Sequence, residues 1–211
     1  REVEKRLGIL RRFSGCFRDY RDPQRIEHSV ELLIGQRVYG IALGYEDLND
    51  HDSLRHDVVM GLLCEKNDPS GNDRVRERDQ GKVIAGKSTL NRLELTPQGA
   101  NEKSRYKKIV AEGEKIDDLM VDLYIQSHST APEEVVLDVD ATDDPLHGHQ
   151  EGRVFRGYYA EYCYLPLYIF SGEHLLCARL RQANEDPASG VRQELERIVK
   201  TLREAWPAVR I

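Results

Sequence analysis

No stretch of this sequence approaches the roughly 20 consecutive apolar residues that a membrane-spanning helix needs, which excludes a bilayer-spanning reading of that kind. The opening "REVEKRLGIL" is charged and has no apolar core of the sort a secretory leader carries. It also lacks an initiator Met, which reads as a processed product or a fragment. There is no internal repeat and no low-complexity tract, so the chain is not a repeat array. Of the four cysteines, Cys16, Cys64, Cys163 and Cys177, none forms a C-x-x-C pair. Without export signals or metal-ligand spacing they read as reduced thiols at core or boundary positions, neither a disulfide framework nor a zinc site.

What is present is an ordinary polar-leaning composition: 211 residues, 32% charged and 39% apolar, enough for one large domain or two modest ones. The net charge of −6 argues against nucleic-acid binding, but its distribution argues the other way. Arg1 to Arg25 holds eight Lys/Arg against four Asp/Glu, a net of +4. Lys66 to Lys108 holds eleven against six, a net of +5, and Ile109 to Glu151 one against twelve, a net of −11. Such asymmetry fits basic segments joined to an acidic, metal-seeking one, and it also fits helices with locally charged, solvated faces.

Periodicity divides the chain into a helical part to about residue 130 and a β-rich part after it. Asp22-Pro23 has the form of an N-cap followed by Pro, and Ile26, Val30, Leu33, Val38 and Ile41 then follow a helical period to Gly44. A second helix is expected from the "NDHDS" cluster through Leu54, Val58, Leu62 and Leu63. "EKNDPSGNDRVRERDQGK" is an exposed loop, "KSTLNRLEL" a short basic helix, and "YKKIVAEGEKIDDLMVDLYIQSH" a helix with Ile109, Ile116, Leu119, Met120 and Leu123 on one stripe. Beyond Pro132, "EEVVLDVDAT" alternates as a strand. "RVFRGYYAEYCYLPLYIFSG" and "EHLLCARLRQ" are two more around a Ser-Gly turn, with Pro166 at a bulge or edge. "VRQELERIVKTLREAW" is an amphipathic helix and "AVRI" begins a fourth strand.

The stretch "GKVIAGKST" fits the phosphate-loop pattern G-x-x-x-x-G-K-[ST], with Gly81, Gly86, Lys87 and Ser88 in the required places. That pattern binds a nucleotide only when a buried strand feeds the first glycine, and here the feeding residues are "RVRERDQ", five of them charged. The stretch is therefore read as a helix start and not as a nucleotide site. Lys87 and Arg92 then face outward, as they would on a DNA-contacting helix or on a merely solvated one.

"VVLDVDATDDPLHGHQ" carries the chemistry. Alternation puts Val135, Leu137, Val139 and Ala141 on one face and Val136, Asp138, Asp140 and Thr142 on the other. Two carboxylates on one face of an apolar strand either meet solvent or are neutralised by a hard divalent cation. Asp143-Asp144-Pro145 reads as a turn, and His147 and His149 as members of a hydrogen-bonded turn in preference to a metal pair.

"LDVDATDDPLHGHQEGRVFRGYYAEYCYLPLYIFSG", preceded by "YGIALGYEDLNDHDSLRHD" and "GKSTLNRLE", resembles the DDE transposases of bacterial insertion sequences from about Glu27 to Ile211. The resemblance implies an α+β, mixed architecture. A helical, DNA-binding region over residues 1–130 precedes the N-terminal part of a ribonuclease-H-like β-β-β-α-β domain over 131–211. It implies metal-dependent phosphodiester hydrolysis and strand transfer with Mg²⁺ or Mn²⁺ and DNA, the element's terminal inverted repeats, as partner. A homodimer in a synaptic complex and a cytoplasmic, nucleoid-associated location in a bacterium follow from the same resemblance. The first family Asp, in a D-x-T setting, carries over to Asp140, with Asp138 as the fallback ligand. The family's second Asp and its Glu match no residue here, because the chain stops at Ile211 within the fourth strand. On that reading the chain is an N-terminal part of a transposase and inactive alone.

A non-catalytic DNA-binding module is the alternative, with Arg74, Arg76, Arg78, Lys87 and Arg92 as phosphate contacts. An inert fragment with an exposed sheet edge is a third reading. Tyr158, Tyr159, Tyr162, Tyr164 and Tyr168 read as core and cross-strand packing before base stacking. Arg179 and Arg181 share a strand face, open to DNA or to the acidic strand.

Overall fold

A computed structural model describes residues 2–146 and 148–211. The chain divides into two compact units, Arg1–Gly113 and Glu114–Ile211. Both are mixtures of helices and small antiparallel sheets.

In the first unit, α1 (Glu2–Leu7) and α2 (Ile9–Ser14) meet at Gly8, whose φ of 59° permits the sharp change of direction. The Glu4 carboxylate accepts the Leu10 backbone N–H at 2.8 Å and so satisfies one open donor of α2. The helix expected from Asp22 is shorter than its pattern. Asp22 caps only a single turn at Pro23–Arg25, and α3 (Val30–Ala42) starts afresh at Ser29, whose hydroxyl accepts from Leu32 N at 3.1 Å. The second expected helix is two: α4 (His51–Leu54) and α5 (Val58–Leu63). The break falls at Asp57, whose extended backbone and carboxylate cap Val59 and Met60 N–H, so a local hydrogen bond overrides the apolar period.

α6 (Lys87–Glu94) forms where "KSTLNRLEL" places it, burying Leu90 and Leu93. These two join Leu10, Leu33, Ile34, Ala85 and Ile109 in the core of the unit. Ile109 arrives there from a strand. β2 (Ile109–Ala111) pairs antiparallel with β1 (Phe17–Asp19) and joins the two ends of the unit. The helix that follows, α7 (Gly113–Ser127), buries Asp117, Leu119, Val121 and Tyr124, so of the expected stripe Leu119 is buried while Ile116, Met120 and Leu123 are half-buried. β-branched Ile109 and Val110 suit a strand, and pairing with β1 decides it.

The second unit is built on β3 (Asp138–Ala141), β7 (Leu167–Ser171) and β8 (His174–Arg179), in the antiparallel order β3-β7-β8. Gly172, at φ 56°, makes the turn between β7 and β8. α8 (Val191–Ala205) then carries the chain across to a parallel bridge between Arg210 and Glu134, outside β3. Within this sheet the order is three strands, a helix and a single-residue bridge where a fourth strand was expected. α8 buries Glu194, Ile198 and Leu202 at four-residue spacing, and Ile198 and Leu202 pack with Val121, Val135, Leu167, Ile169 and Leu176. Each fully buried Leu or Ile contributes about 1.5–3 kcal/mol.

The long segment before the turn is not one strand. It contains β5 (Val154–Arg156), β6 (Glu161–Tyr164) and then β7, with buried Pro166 separating the last two. β6 lies between β5 and the two-residue β4 (Asp144–Pro145). Asp144-Pro145, expected as a turn, is thus an edge strand, where a proline costs no ladder hydrogen bond. The tyrosines divide. Tyr159 packs against the small core of Cys163, Leu165 and Ala183, whereas Tyr158 is 86% exposed and Tyr162 46%. No cysteine is in a disulfide, and burial pushes Cys64 up to about 12 and Cys177 to about 11, so neither is a thiolate at neutral pH.

Candidate catalytic carboxylates and nucleic-acid interface

The alternation of β3 is set by its partner. Asp138 stands opposite Phe170 and Asp140 opposite Tyr168, while Val139 and Ala141 stand opposite Ile169 and Leu167. Directly opposed residues point to the same face, so Asp138 and Asp140 share a face with two aromatic rings 6.2 Å apart. Both carboxylates are exposed. The opposite face is the core face, with Val135 buried and Leu137 packed on the cluster, but Val139 lies outside that cluster and is 42% exposed.

Hard carboxylate oxygens are the donor type a divalent ion of the magnesium class takes. The donor number falls short, because among the described residues no group of three or more His, Cys, Asp and Glu gathers at a metal-binding spacing. The residues present therefore fit such an ion in kind and not in number. His147 lies outside the described residues. His149 is hydrogen-bonded through Nδ1 to Arg153 Nη2 at 2.8 Å.

Arg179 and Arg181 are both used internally. Arg179 holds Asp117 at 2.8 Å and Glu194 at 2.7 Å. Arg181 donates to the carbonyls of Leu165, Pro187 and Ser189 at 2.9, 3.1 and 2.6 Å. Among the described residues neither guanidinium makes a hydrogen bond or ion pair to β3.

In the first unit, the loop "GKVIAGK" has no strand before it, only a single turn at Glu77–Asp79. Its Val83, Ile84 and Ala85 are buried, and its amides are already engaged: Ile84 N–H donates to Arg55 O and Ala85 N–H to Gln36 Oε1. Gln36 in turn donates to Ala85 O at 2.7 Å. Amides committed to the fold cannot surround a phosphate. Gly86 leaves room for the Arg55 and Asp52 side chains, since a Cβ there would lie 2.7 Å from Arg55 Nη1 and 2.9 Å from Asp52 Oδ1 and would make these side-chain ends shift.

The same loop walls a cleft of about 390 Å³. Arg21 and Arg25 line it together with Arg74, Arg76, Arg78 and Arg92, so the two basic stretches of the sequence meet in space. With Arg55 and Lys82 the lining holds eight cations against Glu27, Asp52 and Asp79. The acids are engaged: Glu27 by Arg74 at 2.6 Å, Asp79 by Lys82 at 2.8 Å, and Asp52 by Lys87 at 3.5 Å. The Lys82 ammonium holds the Asp79 carboxyl below the usual carboxylate range. Arg76 and Arg78 are exposed at the rim.

Arg74 differs from its neighbours. Its side chain is only 9% exposed, held by Glu27 and by a hydrogen bond to His28 Nε2. Burial first, then the positive charges of Arg74 and Lys66, push His28 down to about 3, so its ring is neutral and Nε2 accepts from Arg74. Three buried atoms of the lining, His28 Nδ1, Arg55 Nε and Arg74 Nε, have no hydrogen-bond partner among the described residues. Lys87 is tied through Nζ to Asn49 Oδ1 at 3.0 Å. Sequence reading missed Arg21, Arg25, His28, Arg55 and Lys82. The charge counts of the two basic stretches were the available signal, but counts carry no information on which side chains converge.

A family model described as "Transposase DDE domain group 1" matches residues 1–211. The chain belongs to this family of DDE transposases. Curated proteins and solved structures give no match. The substrate of this transposase family is DNA, and its chemistry generally takes a divalent metal. Among the described residues no helix of this transposase chain is long and apolar enough to cross a membrane.

Proposed function

We propose that this chain serves DNA transposition by metal-dependent phosphodiester hydrolysis and strand transfer. On this reading Asp140 is the family's first metal-ligating carboxylate and Asp138 assists it. The supporting observation is the exposed pair Asp138/Asp140 on one sheet face, within a chain that the family matches throughout. Bound there, Mg²⁺ or Mn²⁺ would neutralise charge and activate an attacking oxygen. The chain's own contribution is to fix Asp140 on a hydrogen-bonded strand, so that its carboxylate is held in place before a ligand arrives.

Two carboxylates hold Mg²⁺ loosely, because the ion gives up its water reluctantly. The chain by itself is therefore expected neither to cut nor to join DNA. A plasmid-nicking assay with Mg²⁺ or Mn²⁺ tests this. Metal-dependent cleavage by the chain, lost in Asp140→Asn, would overturn the expected inactivity and establish Asp140 as a ligand.

DNA binding by the first unit is the second part of the reading, supported by the net-positive cleft. Arg76, Arg78 and Lys87 contact phosphate from exposed positions and Arg92 meets the DNA from α6, while Arg74 holds the loop that carries Arg76 and Arg78. The DNA is the element's terminal inverted repeats, and two chains come together in a synaptic complex. Should the chain bind duplex DNA while Asp140→Asn leaves Mn²⁺ binding unchanged, the non-catalytic module is the better description.

A further inference from the structure

α6 stands as a ridge between two grooves. On one side is the basic cleft, lined from α6 by Ser88, Thr89 and Arg92. On the other is a groove of about 540 Å³ in which Ser88, Asn91 and Arg92 face Asn49, Tyr106 and Lys107. Ser88 and Arg92, four residues apart and so on one helical face, line both. Leu90 and Leu93 anchor the opposite face in the core. Among the described residues the side chains of Ser88 and Asn91 make no hydrogen bond, although both lie beside cations and polar groups that are paired. The Arg92 guanidinium lies 5.4 Å from the Tyr106 ring centroid and that of Arg105 4.9 Å from it. The ring thus steadies Arg92 without consuming its donors.

We infer that this ridge enters the major groove of duplex DNA and that Ser88, Asn91 and Arg92 determine sequence specificity, the two flanking grooves seating the two sugar-phosphate strands. This rests on the reading that the first unit binds DNA. A helix with its side chains is about 10–12 Å across, the width of a major groove. An anionic duplex places negative charge on both sides of such a ridge. The basic cleft meets one strand through Arg25, Arg76 and Arg78, and Lys107 with Arg105 meets the other. The side chains left on the crest are of the types that read base edges: Arg pairs with guanine O6 and N7, Asn with adenine N6 and N7, and Ser with either.

The test is binding selection from a pool of randomised 30-base-pair duplexes by the whole 211-residue chain, followed by fluorescence anisotropy on the enriched and unenriched duplexes at several salt concentrations. The wild type should enrich a short site. Asn91→Ala and Ser88→Ala should keep their affinity for unenriched DNA and their salt slope, but lose roughly 5- to 100-fold preference at one or two base positions. Arg76→Ala with Arg78→Ala should weaken all duplexes alike and reduce the salt slope by about two. Thermal melting shows that each variant is folded, and the unchanged affinity for unenriched DNA is a second check. Binding without any enriched sequence, or an enriched site that Asn91→Ala and Ser88→Ala both retain, overturns base reading by α6 and leaves DNA binding intact. No binding of any duplex at low salt overturns both.

Discussion

Asp140 stands directly across the β3–β7 ladder from Tyr168, so carboxylate and aromatic ring share one face of the sheet while Leu167 and Ile169 turn into the core. An exposed carboxylate in that position contributes little to folding and is free to act as a ligand. Asp140→Asn should change stability by no more than about 0.5 kcal/mol. It should weaken Mn²⁺ binding by at least on the order of tenfold, the loss that even outer-shell partners produce. Chemical denaturation and Mn²⁺ electron paramagnetic resonance read the two quantities separately. A large stability loss with unchanged Mn²⁺ binding would make Asp140 structural.

His28 gives the first unit a pH dependence of known sign. Its folded value, about 3, lies below the ordinary 6.5, so the unfolded chain takes up the proton first. The stability of the neutral ring is fully present above pH 6.5 and declines as pH falls from there towards 3, by up to about 1.4 kcal/mol per pH unit. His28→Gln, which keeps a hydrogen-bond acceptor for Arg74, should flatten that part of the stability profile. A profile equally steep in His28→Gln would mean that other groups cause it.

Gly61 lies where α5 meets the buried loop, and a Cβ there would overlap Val83 Cγ1. Alanine gains about 1 kcal/mol in helix propensity, but overpacking costs about 1–3 kcal/mol. Gly61→Ala should therefore destabilise by up to about 2 kcal/mol, and Gly61→Ala with Val83→Ala should relieve the overlap. Urea midpoints of the two variants check this, and a stabilised single variant would show that the loop yields easily.

Glu194 is buried between Arg179, at 2.7 Å, and Arg197, at 3.0 Å. Burial pushes its carboxyl up, but the two guanidiniums outweigh burial and hold it below the usual range. Its stabilising contribution is present above the ordinary glutamate value of about 4.3 and is lost as pH falls through the depressed one. Glu194→Ala should cost roughly 2 kcal/mol, less than a fully buried pair because Arg179 is partly exposed. Ile198→Ala, one turn away in the core, should cost about 2–5 kcal/mol at any pH. Thermal melts at pH 4 and pH 7 separate the two: only the Glu194→Ala difference should shrink at the lower pH.

The sequence by itself determined the elements whose signals are local. Alternation along "VVLDVDA" put Asp138 and Asp140 on one face, and the period of "VRQELERIVKTLREAW" produced α8. The charge counts marked two basic stretches, and the charged residues before Gly81 ruled out a phosphate loop. Tertiary structure decided the rest, because those outcomes depend on partners distant in sequence. Ile109 is a strand residue because β1 is there to pair with it. Arg74 is a buried clamp because Glu27 and His28 reach it, whereas Arg76, two residues on, stays at the rim. Arg21 and Arg25 join Arg74, Arg76 and Arg78 in one cleft only once β1 and β2 have closed the first unit. A hydrophobic period fixes which way a side chain points, but convergence of like charges is set by packing, and no local pattern in the chain encodes it.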